Sequence, residues 1–172
     1  ELAGGSQAHG RAVAEHLAAA HDVTILTTCA RDHITWRNEY PAGASEFGRL
    51  HVRRFRVTLE RSLHRFHDIS EVVFSRGAST ADQEQWFREN GPESPELLEF
   101  LAAHGRDFDR ILFWSFRYYQ SFFGLPLVAD RAVLVPTAEE DPVIRLSILD
   151  EYFAKAAAYL FLTPEQETLV SL

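Results

Sequence analysis

Residues 4–28, GGSQAHGRAVAEHLAAAHDVTILTT, decide the fold. The apolar residues of 6–20 recur at helical spacing on one face, which predicts an amphipathic helix. Residues 23–27 (VTILT) follow and are typical of a buried parallel strand. Gly4 and Gly5 stand at the start of the helix, where glycine lets a ligand approach the backbone closely. The free N–H groups and the positive dipole end of that helix favour an anion such as phosphate.

The rest of the chain alternates strand and helix patterns. Further strands are predicted at 50–57, 111–114, 132–135 and 159–162, and helices at 59–75, twice within 77–106 and from Thr163 onward. Ser94 is expected to cap the second helix of 77–106, and residues 29–48 are expected to form a loop. Strands that alternate with helices imply a parallel sheet with right-handed crossovers, so we predict one α/β domain over residues 1–172.

The composition narrows the class of protein. A net charge of -8 and a pI of about 5.4 argue against a nucleic-acid-binding protein. Cys29 is the one cysteine, so an internal disulfide is impossible and a reducing cytoplasm is expected. The arginines between 53 and 65 are expected to form a solvated face, with contact to an anionic acceptor or a membrane surface left open. The richness in arginine and alanine indicates a GC-rich, bacterial genome.

Several stretches together resemble one family. Residues 4–9 (GGSQAH), 14–17 (AEHL) and 22–28 (DVTILTT) resemble the opening of glycosyltransferase family 4. Residues 123–128 (FGLPLV), 135–142 (VPTAEEDP) and 161–167 (FLTPEQE) are similar to later elements of the N-terminal domain in that family. The order and spacing of these stretches carry the resemblance over nearly the whole chain.

The resemblance implies a fold and an activity. Members have the GT-B arrangement, in which two Rossmann-like domains, each a parallel sheet flanked by helices, face each other across a cleft. Residues 1–172 would form the N-terminal, acceptor-side domain. The whole enzyme would transfer a sugar from a nucleotide-sugar donor to a glycan, a lipid-linked acceptor or a small molecule. The nucleotide sugar is a co-substrate, and no metal or other cofactor is implied.

The resemblance also implies residue roles. Gly4 and Gly5 would lie against the diphosphate of the donor or against the acceptor. Glu139 stands where many members have a histidine, at the end of a strand, and is the predicted catalytic residue, with Glu140 beside it as a substrate contact. A carboxylate at that position can orient an acceptor hydroxyl or stabilise positive charge at the reacting sugar. The missing histidine keeps an alternative open, a non-catalytic α/β binding or regulatory domain.

Other candidate binding residues follow from their chemistry. His9 lies on the first turn of the predicted helix, either as a substrate contact or as a packing histidine. Arg31, Trp36 and Asn38 belong to a loop rich in aromatic and hydrogen-bonding groups, which suits a sugar ring or packs the loop itself. Tyr118 follows a buried strand and is expected to face the same cleft.

The resemblance also concerns the segment that precedes the glycine pair. Members of the family usually carry a strand just before the glycine pair, and a doubly wound sheet without this strand exposes two strand edges. We therefore expect the natural protein to have about 10–15 further residues before Glu1.

His64, His67 and Asp68 have helical spacing that a metal ion can use. A polar helix face is the commoner explanation of such spacing, and no metal site is predicted.

Overall fold

A computed structural model describes residues 5–75 and 77–171 of the chain, and Gly4 lies outside these described residues. The helices are α1 (Gly5–Leu17), α2 (Leu63–Val73), α3 (Thr80–Asn90), α4 (Pro95–His104), α5 (Tyr119–Gly124), α6 (Ile148–Phe153) and α7 (Pro164–Val170). The strands are β1 (Val23–Thr28), β2 (Gly43–Phe47), β3 (Leu50–Phe55), β4 (Ile111–Trp114), β5 (Ala132–Val135) and β6 (Ala158–Tyr159). This alternation confirms the α/β class.

The strands form two sheets of three strands each. In the first, β3 is central, with β1 parallel to it and β2 antiparallel. In the second, β4, β5 and β6 are all parallel, with β5 central. The prediction of a loop over residues 29–48 is wrong for β2, which pairs with β3 although all five of its residues are exposed. The last predicted strand is also shorter than expected, because only Ala158 and Tyr159 pair with β5.

Helix α1 packs on one face of both sheets. Ala14 of α1 joins Val23 and Ile25 of β1 in a small apolar cluster. Four residues nearer the start of α1, Gly10 lies against the indole of Trp114 in β4, where an added Cβ would stand 3.3 Å from the ring. A side chain at position 10 would push the helix away from β4, so glycine permits this close approach.

The main core lies on the opposite face of both sheets. Because side chains alternate along a strand, Leu26 of β1 and Phe113 of β4 point away from α1. Both pack in one large apolar cluster that also takes side chains from α3, α4 and α5. Within it, Phe87 of α3 and Phe122 of α5 stack with ring centroids 3.9 Å apart and 5° between the planes. A shared core therefore holds the two sheets in one layered structure.

Two helix starts, those of α4 and α7, test the capping predictions made from the sequence. Thr163 accepts a hydrogen bond from the backbone N–H of Gln166 at 3.4 Å, with Pro164 as the first helical residue, as the pattern predicts. Ser94 stands at the start of α4 but makes no capping bond with its side chain, so that prediction is wrong. Its buried hydroxyl instead donates to the carbonyl of Arg56 at 2.8 Å and ties α4 to the end of β3.

Within residues 5–75 and 77–171, no helix is both long enough and apolar enough to cross a membrane.

We expect Phe87→Ala to lower the free energy of unfolding by about 3–5 kcal/mol, because it removes a fully buried ring and leaves a cavity. Phe47→Ala is the matched control, since the Phe47 side chain is 52% exposed and the same deletion there costs less than about 1 kcal/mol. Urea unfolding followed by circular dichroism measures both. Equal losses for the two variants would contradict the assigned core.

Candidate functional site

Three loops converge at the edge of the sheets where β1, β4 and β5 end. Ser115 directly follows β4, Thr137 lies two residues beyond β5, and Trp36 lies in the segment after β1. All three have positive φ angles, 65°, 48° and 54°, and they are the only non-glycine residues of 5–75 and 77–171 that do. Such backbone conformations are strained by about 1–3 kcal/mol each and cluster at functional sites. This edge, which we call the carboxyl edge, is therefore the candidate site.

Asn90, at the end of α3, joins the loops of the carboxyl edge. Its backbone carbonyl accepts the indole N–H of Trp36 at 2.7 Å. Its side-chain oxygen accepts from Arg61 at 2.9 Å, and its side-chain amide donates to the carbonyl of Arg117 at 2.8 Å. Trp36 also meets Tyr118 edge to face, with ring centroids 5.9 Å apart. The segments after β1, β3 and β4 thus meet at one buried residue.

The guanidinium of Arg117 and the predicted catalytic residue Glu139 lie close enough to interact electrostatically. Its guanidinium donates to the carboxylate of Asp141, and the other oxygen of Asp141 accepts the backbone N–H of Val143 at 2.9 Å. Burial lowers the pKa of the Arg117 guanidinium, and the nearby carboxylate of Glu139 acts in the opposite direction. Glu139 is itself exposed. The edge therefore presents an exposed carboxylate next to a half-buried guanidinium.

Arg61 is a second half-buried guanidinium at this edge. It donates to the carbonyl of His33 at 2.9 Å and lies over the ring of Phe66, 4.0 Å from the centroid. Burial lowers its pKa, while the electrostatic effect of Tyr118 raises it. Its Nε is buried without a hydrogen-bond partner, and in the described part of the chain no carboxylate pairs with it. Its charge is therefore not neutralised locally.

The start of α1 lies near the carboxyl end of β4. His9 meets Trp114, the last residue of β4, edge to face with ring centroids 5.3 Å apart. Gly5 is the first residue of the helix, and a Cβ added there would find no atom within 4 Å. The described part of the fold therefore leaves open space beside Gly5.

The loop after β1 uses its polar groups to hold itself together. Trp36 is 6% exposed, so its ring offers almost no surface to a sugar. Asn38 donates to the carbonyl of Val57 at 2.8 Å and accepts the N–H of the same residue at 2.9 Å. Arg31 pairs with Glu39 at 3.4 Å along an open groove. The buried Trp36 agrees with the structural interpretation, in which it packs the loop itself. Sugar binding by Arg31, Trp36 and Asn38 stays a prediction.

The structure thus groups some predicted residues and separates others. Tyr118 and Glu139 both lie around Arg117, since each influences the pKa of its guanidinium. Glu140 turns instead to Arg145, at 2.6 Å. The links made by Asn90 were missed at the sequence level because Arg61 and Asn90 lie 29 positions apart, and no local pattern connects them.

Several charged residues outside the carboxyl edge contact other side chains of the chain. Arg53 lies over the ring of Phe100, 4.4 Å from its centroid, and Arg65 pairs with Glu89 at 3.1 Å. His64 pairs with Asp68 at 2.7 Å on an exposed helix face. Across the described residues, no group of three or more His, Cys, Asp or Glu side chains comes together to hold a metal ion.

We expect Asn90→Leu to destabilise the protein by about 1–3 kcal/mol for each of the two partners that it leaves unpaired, Arg61 and the Arg117 carbonyl. Ala81→Leu at an exposed position of the same helix is the control and stays within about 0.5 kcal/mol of the parent. Urea unfolding gives both values. A neutral Asn90→Leu variant would show that the loops are held by other contacts.

A pH-dependent contribution is expected from Asp32. Hydrogen bonds from the backbone N–H and hydroxyl of Thr35 lower the pKa of the Asp32 carboxyl, with a further bond from the N–H of Ile34. A depressed folded-state pKa adds stability above the unfolded-state value, which is lost as the pH falls through the folded-state value. Asp32→Asn should therefore lower Tm at pH 7, and the difference should shrink below about pH 4. A constant difference across that range would contradict the assigned bonds.

Comparisons with known proteins leave the function to be argued from this geometry. No protein-family model, curated protein or solved structure matches the chain.

Proposed function

We propose that this chain is the acceptor-side domain of a GT-B glycosyltransferase. In this proposal a Rossmann-like half built from residues 1–172 faces a second domain that binds most of the nucleotide sugar. The complete enzyme transfers the sugar to a glycan, a lipid-linked acceptor or a small molecule. The partners are therefore the donor, the acceptor and the enzyme's own C-terminal domain, and no further cofactor is needed.

The carboxyl edge is the observation that carries the proposal. Ligands of α/β sheets bind outside the carboxyl ends of parallel strands. Here the loops after β1, β4 and β5 meet, and Ser115 and Thr137 hold strained backbone conformations. Arg61 and Arg117 both lie close enough to Tyr118 for the phenol to affect the pKa of each guanidinium. Such groups bind phosphate or stabilise charge on a leaving diphosphate.

Glu139 is the group that we assign to the reacting sugar. Asp141 already engages Arg117, and Glu139 makes no hydrogen bond within the described residues. Its carboxylate is therefore available to accept a hydrogen bond from an acceptor hydroxyl, or to stabilise positive charge that develops on the donor sugar.

The alternative is a non-catalytic α/β domain that binds a ligand at the same edge. It would use Arg61, Arg117 and Tyr118 for binding but would not need Glu139. The Glu139→Gln variant of the complete enzyme distinguishes the two proposals. If Glu139 is catalytic, the variant should lose most sugar transfer and still bind the acceptor. Unchanged transfer would favour a different catalytic group.

The role of α1 can be tested on the chain itself with inorganic pyrophosphate as the probe. We expect pyrophosphate to shift the amide NMR signals of Gly5 and its neighbours on the first turn of α1. Gly5→Val should weaken this binding by about tenfold or more, which is a loss of about 1.4 kcal/mol. A Cβ at position 5 finds no atom of the described residues within 4 Å, so we expect the fold to stay intact. Ala8→Val, at an exposed position of the same helix, is the control.

Two results would count against the proposal. Equal pyrophosphate affinity in the Gly5→Val and Ala8→Val variants would remove the diphosphate contact at α1. Transfer of sugar from UDP-glucose or GDP-mannose by the 172 residues alone would contradict the two-domain account. We expect no transfer by this chain without a donor domain.

A further inference from the structure

Strand β2 is the outer strand of the first sheet and is paired on one side. Its partner is β3, and within the described part of the chain no strand pairs with its other side. Every residue from 40 to 49 is exposed, so the strand and its flanks are largely uncovered. A free strand edge presents backbone N–H and C=O groups with which a further strand can pair.

β2 lacks several of the features that keep strand edges apart. Natural edges are protected by lysine, by proline or by a bulge that interrupts the ladder. The strand Gly43–Phe47 contains no lysine and no proline, and its five residues pair with β3 in an unbroken register. Its one charged side chain, Glu46, forms a hydrogen bond with His51 of β3 at 2.8 Å. The edge is therefore open to pairing.

The β2–β3 hairpin decides which backbone groups of β2 face the free side. Phe47 and Leu50 pair across a two-residue loop, and in such a hairpin the closing pair is hydrogen-bonded. Hydrogen-bonded and non-hydrogen-bonded pairs alternate along an antiparallel ladder, so every second residue counted from Phe47 bonds to β3. The residues between them, Ala44 and Glu46, direct their N–H and C=O groups to the free side.

We propose that β2 is a dimerisation edge, to which β2 of a second copy of this chain adds in the antiparallel direction. A two-fold axis beside Ser45 sets Ala44 of each copy opposite Glu46 of the other. These are the residues whose backbone groups face outward, and each such pair exchanges two N–H···O bonds. The two three-stranded sheets then become one continuous sheet. This inference does not depend on the proposed function.

Charge complementarity favours a second copy as the partner. Arg53 of β3 lies opposite Ala44 in the register, on the face of the sheet that also carries Glu46. Arg53 is exposed, lies over the ring of Phe100 and pairs with no carboxylate among the described residues. Two strand spacings, about 10 Å, would separate Arg53 from Glu46 of the second copy, with only the methyl group of Ala44 between them. Two long side chains close that gap, so an ion pair forms.

The opposite face of β2 fits the same arrangement. The two-fold axis brings Phe47 of one copy beside Gly43 of the other. The Phe47 side chain is 52% exposed. A Cβ added at Gly43 would find no atom of the described residues within 4 Å, so the ring has room to cover this glycine. An aromatic side chain over an edge glycine stabilises a sheet.

The arrangement also sets the strength of the dimer. The two copies of Glu46 lie on a diagonal of the pairing, about 7–8 Å apart, and repel each other. His51 of the same copy and Arg53 of the other copy offset this repulsion. Because the interface is one short strand wide, we expect a reversible dimer whose population rises with concentration.

The backbone pairing is tested with Ala44→Pro. Proline removes the outward N–H of residue 44 and leaves the bonds between β2 and β3 in place. Half of the hydrogen bonds between the copies are lost, so self-association should weaken by about tenfold or more. Ala44→Ser keeps the N–H and is the matched control. Sedimentation velocity over a concentration series measures the parent and both variants.

A charge exchange tests the same contact without proline. Glu46→Arg and Arg53→Glu each place like charges against each other across the two-fold axis, so each variant alone should associate more weakly than the parent. An equimolar mixture of the two variants pairs opposite charges again and should associate at least as tightly as the parent. Contacts within one chain cannot produce this recovery, because neither chain changes on mixing.

The outcomes decide between a second copy and other occupants. A concentration-dependent dimer that weakens in Ala44→Pro, together with recovery in the mixture, supports the proposal. A parent chain that is still monomeric at about 1 mM overturns it and leaves the edge to a strand of a different protein. Equal association of Ala44→Pro and Ala44→Ser, or no recovery in the mixture, also overturns it. So does growth beyond a dimer, because two-fold pairing of this edge is closed.

Discussion

The hydrogen bonds of Asn90 are the constraint on which the carboxyl edge depends. Asn90 is a buried residue at the end of α3. It accepts hydrogen bonds from the Trp36 indole and the Arg61 guanidinium, and it donates one to the Arg117 carbonyl. Because these groups are shielded from water, leaving any one unpaired carries the desolvation penalty of a buried polar group. The loops after β1, β3 and β4 are therefore held together by the chain itself. Strained backbone at Ser115 is tolerated only because the surroundings determine its conformation.

The two sheets are joined by side chains and by α1, with no backbone ladder between β1 and β4. Backbone pairing normally supplies the direction and spacing of neighbouring strands, and here packing on both faces supplies them instead. Gly10 against Trp114 on one face and the main core on the other keep β4 in line with β1. This explains how strands with free edges lie in a common layer.

The sequence predicted the elements whose signals are local. β4 and β5 are continuous apolar runs of strand length, and β1 is rich in β-branched residues. The Thr163-Pro164 pair marks the start of α7. β2 was missed because its residues are all exposed and show no alternation, so its only support is pairing with β3. The composition of the loop around Trp36 and Asn38 suits a sugar site and a self-packed loop equally. The hydrogen bond from Trp36 to Asn90 and the two between Asn38 and Val57 show that the loop is packed against the rest of the chain.

Two half-buried guanidinium groups lie at the carboxyl edge of a protein whose net charge is -8. Asp141 neutralises Arg117, while Arg61 bonds to neutral oxygen atoms of His33 and Asn90 and pairs with no carboxylate among the described residues. The exposed carboxylate of Glu139 is screened by solvent more than the buried cations are. Desolvated charge acts over short distances more strongly than distant surface charge, and this supports our proposal that an anion binds at this edge of an otherwise acidic protein.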